Sequence, residues 1–126
     1  VMADETRALL WRLTSARGRS SRREFWGVFF TVAALFALAR LLFEPQPIQL
    51  VGGMGVMGPW PAFLLRLGAF WLWIAVHIRR LHDIGRSGAW AALTVIIVPL
   101  GLLICGLQRG QLAQNDYGAA PRAETP

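Results

Sequence analysis

The chain has 126 residues, 55% hydrophobic and 16% charged, with a net charge of +6 in which every cation is an arginine. Soluble domains carry about 25% charged residues, and a chain of this length holds one domain. The long uncharged runs between its short charged stretches set the positive excess against an anionic membrane surface rather than nucleic acid.

Residues Ala3 to Leu13 read as a short amphipathic helix. Asp4 and Glu5 fall in its first turn, where the helix dipole favours negative charge. Leu9, Leu10 and Leu13 share one face. That pattern suits a helix lying on a membrane surface, or one packed on a partner or on the protein's own loops. Thr14 to Ser21 then forms a polar linker.

The first apolar run is Phe25 to Phe43, broken only by Arg40. As a helix it would be roughly 28 Å long, close to the bilayer core. Ala37-Leu38-Ala39 resembles a signal-cleavage site, but the basic stretch before the run is too long for a leader, so the run is expected to be retained. Glu44 to Trp60 is a loop of Pro, Gly and Met. Pro45 and Pro47 end the preceding helix.

Pro61 to Ile78 is the second run, and Ala89 to Leu107, without a charge, is the third. Trp26, Trp60 and Trp90 stand at the run ends, where an indole prefers the headgroup level. Pro99 and Gly101 in the third run call for a kink or a close neighbour, and a re-entrant hairpin is the alternative to a crossing. Cys105, the single cysteine, lies in this run and reads as a small buried hydrophobe. Residues 108–126 form a polar tail, with Asn115-Asp116-Tyr117-Gly118 as a turn. The expected fold is an all-α integral membrane domain of about three transmembrane helices preceded by the amphipathic helix.

Arginine placement gives an orientation. Arg7, Arg12, Arg17, Arg19, Arg22 and Arg23 precede the first run, and Arg79, Arg80 and Arg86 lie between the second and third. The loop from Glu44 to Trp60 has none. Positive charge stays in the cytoplasm, so the N-terminus and the 79–88 loop are expected inside. Three crossings would leave the tail outside, although Arg109 and Arg122 make it mildly basic.

Two charged clusters therefore meet at one headgroup level. Glu24 and Asp83 each sit among arginines, so ion pairs between the clusters are expected to tie the spans together. Arg19, Arg22, Arg23, Arg79, Arg80, His82, Asp83 and Arg86 are the candidates for binding an anionic lipid or an acidic partner surface. Plain topology anchoring is the simpler role for the same groups. Arg40 and Glu44, four residues apart, are expected to pair on one helical face.

Gly18-Arg19, Arg22, Glu24-Phe25-Trp26, Arg79-Arg80-Leu81-His82-Asp83, Gly85-Arg86-Ser87-Gly88, Trp90, Asn115 and Tyr117-Gly118 together resemble the domain-of-unknown-function 805 family, the YhaH-like inner-membrane proteins of bacteria. The resemblance implies a small multi-span inner-membrane protein and no particular reaction. Ala89 and Ala120 depart from its pattern.

His82 and Asp83 are neighbours in sequence and would often point apart, and no nucleophile triad, H-E-x-x-H or phosphate-cradling glycine loop is present. No catalytic residue, metal site or cofactor is expected. The leading function is a non-enzymatic accessory or structural subunit, packed against another membrane protein or a second copy, with membrane lipids as further partners. A lipid-active enzyme or carrier using Arg79, His82, Asp83 and Arg86, and an oligomeric pore, are the alternatives.

Overall fold

The structure, a computed structural model, describes residues 2–43 and 60–121. Of the loop expected from Glu44 to Trp60 only Trp60, the first residue of a helix, is among them; the rest of that loop, Glu44 of the expected Arg40–Glu44 pair, and Arg122 lie outside. Helix α1 runs Met2–Thr14, α2 Arg22–Phe43 and α3 Trp60–Asp83. A 3-10 turn at Gly88–Trp90 leads into α4 (Ala91–Ile96) and α5 (Val98–Gly101), and a π-helical turn, Leu102–Leu107, follows. Among the described residues there is no strand, only a bridge between Asn115 and Gly118.

Local chemistry sets the ends of these elements. Ser21 caps α2 by accepting from the Glu24 amide at 3.2 Å. Its hydroxyl takes one of the amides that has no partner within the helix. Helix α3 ends in a Schellman turn, with Gly85 at φ +81°. The Gly85 amide donates to His82 O (3.1 Å) and the Arg86 amide to Leu81 O (2.8 Å). Ser87 accepts from the Ala89 amide and opens the 3-10 turn.

Among the described residues, helices α2 and α3 are the two that have the length and apolarity to cross a membrane. They are antiparallel: Phe25 meets His77 at 5.1 Å, and Phe29, one turn further on, meets Trp73, one turn further back, at 5.7 Å. Phe25, Trp73, Val76, Leu81 and Cys105 form the buried core. Ala62, Ala69 and Val76 recur every seven residues as a buried stripe on α3. Small residues at that spacing let backbones approach closely, which is the source of attraction between helices in an apolar solvent. Most bulky residues elsewhere on the pair face outward: Phe30, Leu41, Leu42, Leu64 and Leu67 are all more than half exposed.

The third apolar run is not one straight helix. It bends at Ile97, whose ψ of 81° breaks the helix just before Pro99, and it doubles back. The Thr94 and Cys105 side chains lie near one another, although a straight helix would hold residues eleven apart about 16 Å from one another. Gly101 lies so close to the Thr94 carbonyl that a Cβ there would strike it. Both limbs return to the same end of α3. Gly88 touches Ile78 and His82, while the Cys105 and Gln108 carbonyls accept from Arg80. Residues 91–107 therefore form a helical hairpin, and the tail it leads into sits beside Arg19 and Asp83, not at the far end of the helix pair. A proline and a glycine in an apolar run permit either outcome. The buried hydrogen bonds at the return decide it.

Candidate functional site

The chemistry of the molecule gathers where α3, the 15–21 linker and the tail meet. Asp83, in the last turn of α3, is fully buried. Its Oδ1 accepts from Arg19 at 2.8 Å, and its Oδ2 pairs with Arg80 one turn back on the same helix. One carboxylate thus pairs with two guanidiniums, leaving the trio with one net positive charge. Their remaining N–H groups satisfy carbonyls that helix ends and turns leave free. Arg80 Nε donates to Cys105 O at 2.8 Å, its Nη1 to Ser20 O at 3.2 Å and its Nη2 to Gln108 O. Arg19 donates to Gln111 O, to Ala113 O at 2.7 Å and to Gly118 O at 3.3 Å. The planar fork of arginine suits this work, since a lysine has a single nitrogen to offer.

The tail is bound from both sides. The Gln111 amide donates to Asp83 O at 2.8 Å. Asn115 Nδ2 reaches His82 O at 2.8 Å and Gln111 Oε1 at 2.9 Å. The His82 ring lies flat on Tyr117, centroids 3.9 Å apart, and its Nδ1 is 3.1 Å from Gly18 O. Gly110 passes so near Asp83 that a Cβ would overlap the carboxylate.

A second pair joins the clusters. Glu24, in the first turn of α2, accepts from Arg79 at 2.5 Å and, more loosely, from Arg12 of α1 at 3.5 Å. Arg79 is 1% exposed, and its Nε and Nη2 have no partner among the described residues.

The structure brings together Arg19, Arg80 and Asp83, with His82 beside them, and separately Arg79 with Glu24. It does not gather the other candidates. Arg86 is exposed, its guanidinium 5.2 Å from the Trp90 ring centroid. Arg23 is exposed and Arg22 half-buried, both at the start of α2. Arg40 is half-buried near the opposite end of α2. His77 is buried among Phe25 and Trp73 and bonds Trp73 O at 2.8 Å, remote from His82. Among the described residues no three His, Cys, Asp or Glu side chains gather in a form that would hold a metal.

Sequence reasoning missed Arg12 and Arg17, which read as parts of a surface helix and a linker. It also missed the backbone carbonyls that Arg19 and Arg80 occupy. No residue type signals a carbonyl's availability. The one available hint was the pairing of an Arg-Arg-Leu-His-Asp run with a distant Asn-Asp-Tyr-Gly turn in the resemblance.

A family described as a protein of unknown function, DUF805, matches residues 13–119. The chain belongs to the DUF805 family. Among its relatives, inner membrane protein YhaH of Escherichia coli K12 is 35% identical over 111 residues, covering 86% of this chain and 88% of YhaH. Inner membrane protein YhaI of the same organism is 36% identical over 107 residues, covering 83% of this chain and 84% of YhaI. The uncharacterized protein YiiR is 35% identical over 88 residues, 67% of this chain and 51% of YiiR. No solved structure matches the chain. The matched span starts just before the Arg19 linker and ends just after Gly118, so it contains every residue of the Asp83 cluster.

Proposed function

We propose that this DUF805 member is a non-enzymatic protein of the bacterial inner membrane, an accessory or structural subunit built from two crossings and one re-entrant hairpin. Helices α2 and α3 cross. The 91–107 hairpin enters and leaves on the side of the arginine clusters. By the positive-inside rule that side is the cytoplasm, so the N-terminus, the 84–90 loop and the tail all lie there. This arrangement removes the one conflict in the arginine count, because the basic tail joins the other basic segments. Non-helical backbone at membrane depth is tolerated where protein covers it; the inner side of the hairpin, with Thr94, Val95, Gly101 and Cys105, is buried, while Ile96 and Ile97 at the bend are exposed. Helix α1 carries exposed Leu9, Leu10 and Trp11, which suits a helix at the interface beside the cluster.

The observation that carries the non-enzymatic reading is the fully buried Asp83 held between Arg19 and Arg80. The residues that acid–base chemistry on a headgroup would use are engaged elsewhere: Asp83 in that clasp, His82 against Tyr117 and Gly18, and Arg86 out at Trp90. The exposed apolar faces of α2 and α3 supply the surface for a neighbouring membrane protein or a second copy.

Two measurements test this reading. In a Cys105→Ser background, Ser15→Cys and Gln114→Cys are expected to react with a membrane-impermeant maleimide from the same, cytoplasmic, face. Labelling from opposite faces would overturn the topology. Leu41→Cys and Leu64→Cys are expected to give a discrete cross-linked species in native membranes, and a solitary monomer at both would overturn the subunit role.

A further inference from the structure

Beside the Asp83 clasp lies a pocket of about 450 Å³ between α1, the linker and α3, and four of the residues that line it are arginines: Arg12, Arg17, Arg19 and Arg79. The residues around it sort by how completely they are satisfied. Arg19 is committed to Asp83 and to tail carbonyls. Arg12 and Arg17 are exposed at the rim. Arg79 is the exception: a guanidinium 1% exposed, paired with Glu24 through Nη1 alone, and with Nε and Nη2 unpartnered among the described residues.

Burying donors of a charged group without acceptors is costly. Arg79 has two such donors, at a pocket whose remaining charged lining is also cationic. The carboxylates at hand, Glu24 and Asp83, are outnumbered by those four arginines. An anion with several acceptor oxygens is what completes such a set. A phosphate group fits best, because its oxygens can accept from Nε and Nη2 of one guanidinium while others face Arg12 and Arg17.

We infer that this pocket is a phosphate-binding site, in which Arg79 holds the phosphate from below and Arg12 and Arg17 close over it. The site refines the arginine-rich face of the proposed function and rests on that reading for its place at the membrane surface. Trp11, 72% exposed beside Arg12 at the mouth, gives the pocket an amphipathic rim of the kind that sits at headgroup level. A phospholipid headgroup is therefore the ligand that the surroundings favour, with soluble phosphate sharing the same chemistry.

The test uses the full chain. Native mass spectrometry of protein released from phosphatidylcholine vesicles doped with phosphatidylglycerol is expected to show retained phosphatidylglycerol. Arg12→Gln and Arg17→Gln, both at exposed positions outside the clasp, are each expected to lower that retention about tenfold, the cost of one charge-assisted contact. Arg23→Gln and Arg86→Gln, equally basic but outside the pocket, are expected to leave it unchanged. In the second arm, inorganic phosphate is titrated onto protein in phosphatidylcholine nanodiscs. Binding there that R12Q and R17Q abolish, without selective lipid retention, would support the site and assign it to soluble phosphate. Retention that falls equally in all four variants would show a diffuse basic surface and overturn the proposal, as would an absence of binding in both arms. The maleimide pattern at positions 15 and 114 is independent of these results, so a failed topology and a failed site are told apart.

Discussion

Arg19 and Asp83 are 64 residues apart in sequence and share a buried ion pair, Nε to Oδ1 at 2.8 Å. The pair joins the linker before α2 to the last turn of α3. Through the other donors of Arg19 it also captures the carbonyls of Gln111, Ala113 and Gly118. With Arg80 on the second carboxylate oxygen, the cluster reaches Ser20, Cys105 and Gln108 as well. Helices α2 and α3, the hairpin and the tail are thereby fastened at one end by a single carboxylate.

Asp83→Ala removes that carboxylate and leaves two buried guanidiniums facing each other. The expected loss is about 3–5 kcal/mol, the cost of breaking a buried pair from one side. Thermal unfolding in detergent would read it as a large fall in Tm. A change no larger than that of a surface substitution would contradict the clasp.

Gly110→Ala places a methyl group where the Asp83 carboxylate lies, and is expected to destabilise by about 1–3 kcal/mol through forced displacement. Gly27 and Gly68 lie within α2 and α3 and have open space where a Cβ would go. Gly27→Ala and Gly68→Ala are expected to be neutral or to stabilise by up to about 1 kcal/mol through helix propensity. Comparing the three melting curves separates close approach from backbone freedom.

Thr94→Cys is expected to form a disulfide with the native Cys105 under mild oxidation, because the two side chains meet across the hairpin. Ile96→Cys, on the exposed outer side of the same limb, is expected to form none. Mass spectrometry of the non-reduced peptide decides the matter. Failure at position 94 would return the run to a straight crossing.

His82 and Tyr117, stacked with 2° between their planes, hold the tail turn against the end of α3. A double-mutant cycle of His82→Ala and Tyr117→Ala is expected to give a coupling of about 0.5–1.5 kcal/mol. A coupling near zero would mean that the tail is retained by the hydrogen bonds of Arg19, Asn115 and the Gln111 amide.

Much of this protein was legible from local chemistry. Phe25 to Phe43 and Pro61 to Ile78 announce themselves as long apolar helices because a crossing is a property of contiguous residues. Asn115 to Gly118 as a turn and the arginine imbalance between loops are likewise short-range signals. The third run was the ambiguous one: Pro99 and Gly101 advertised a break, but hydropathy sums apolarity without direction and scores a hairpin and a span alike.

The arginines show the other limit. In sequence Arg79 and Arg80 are equivalent neighbours on a basic loop. A step of 100° around the helix turns Arg80 into the clasp and Arg79 towards Glu24 and the α1 pocket. By itself the sequence determined an all-helical, apolar, arginine-rich chain with three long apolar runs, read as about three crossing helices, and charged clusters between them. Only the tertiary structure decided that the third run returns, which guanidiniums are spent on Asp83 and backbone carbonyls, and which one keeps donors free. Apolarity and propensity are carried by each residue alone, whereas the fate of a buried charge depends on which acceptors the fold brings within hydrogen-bonding distance.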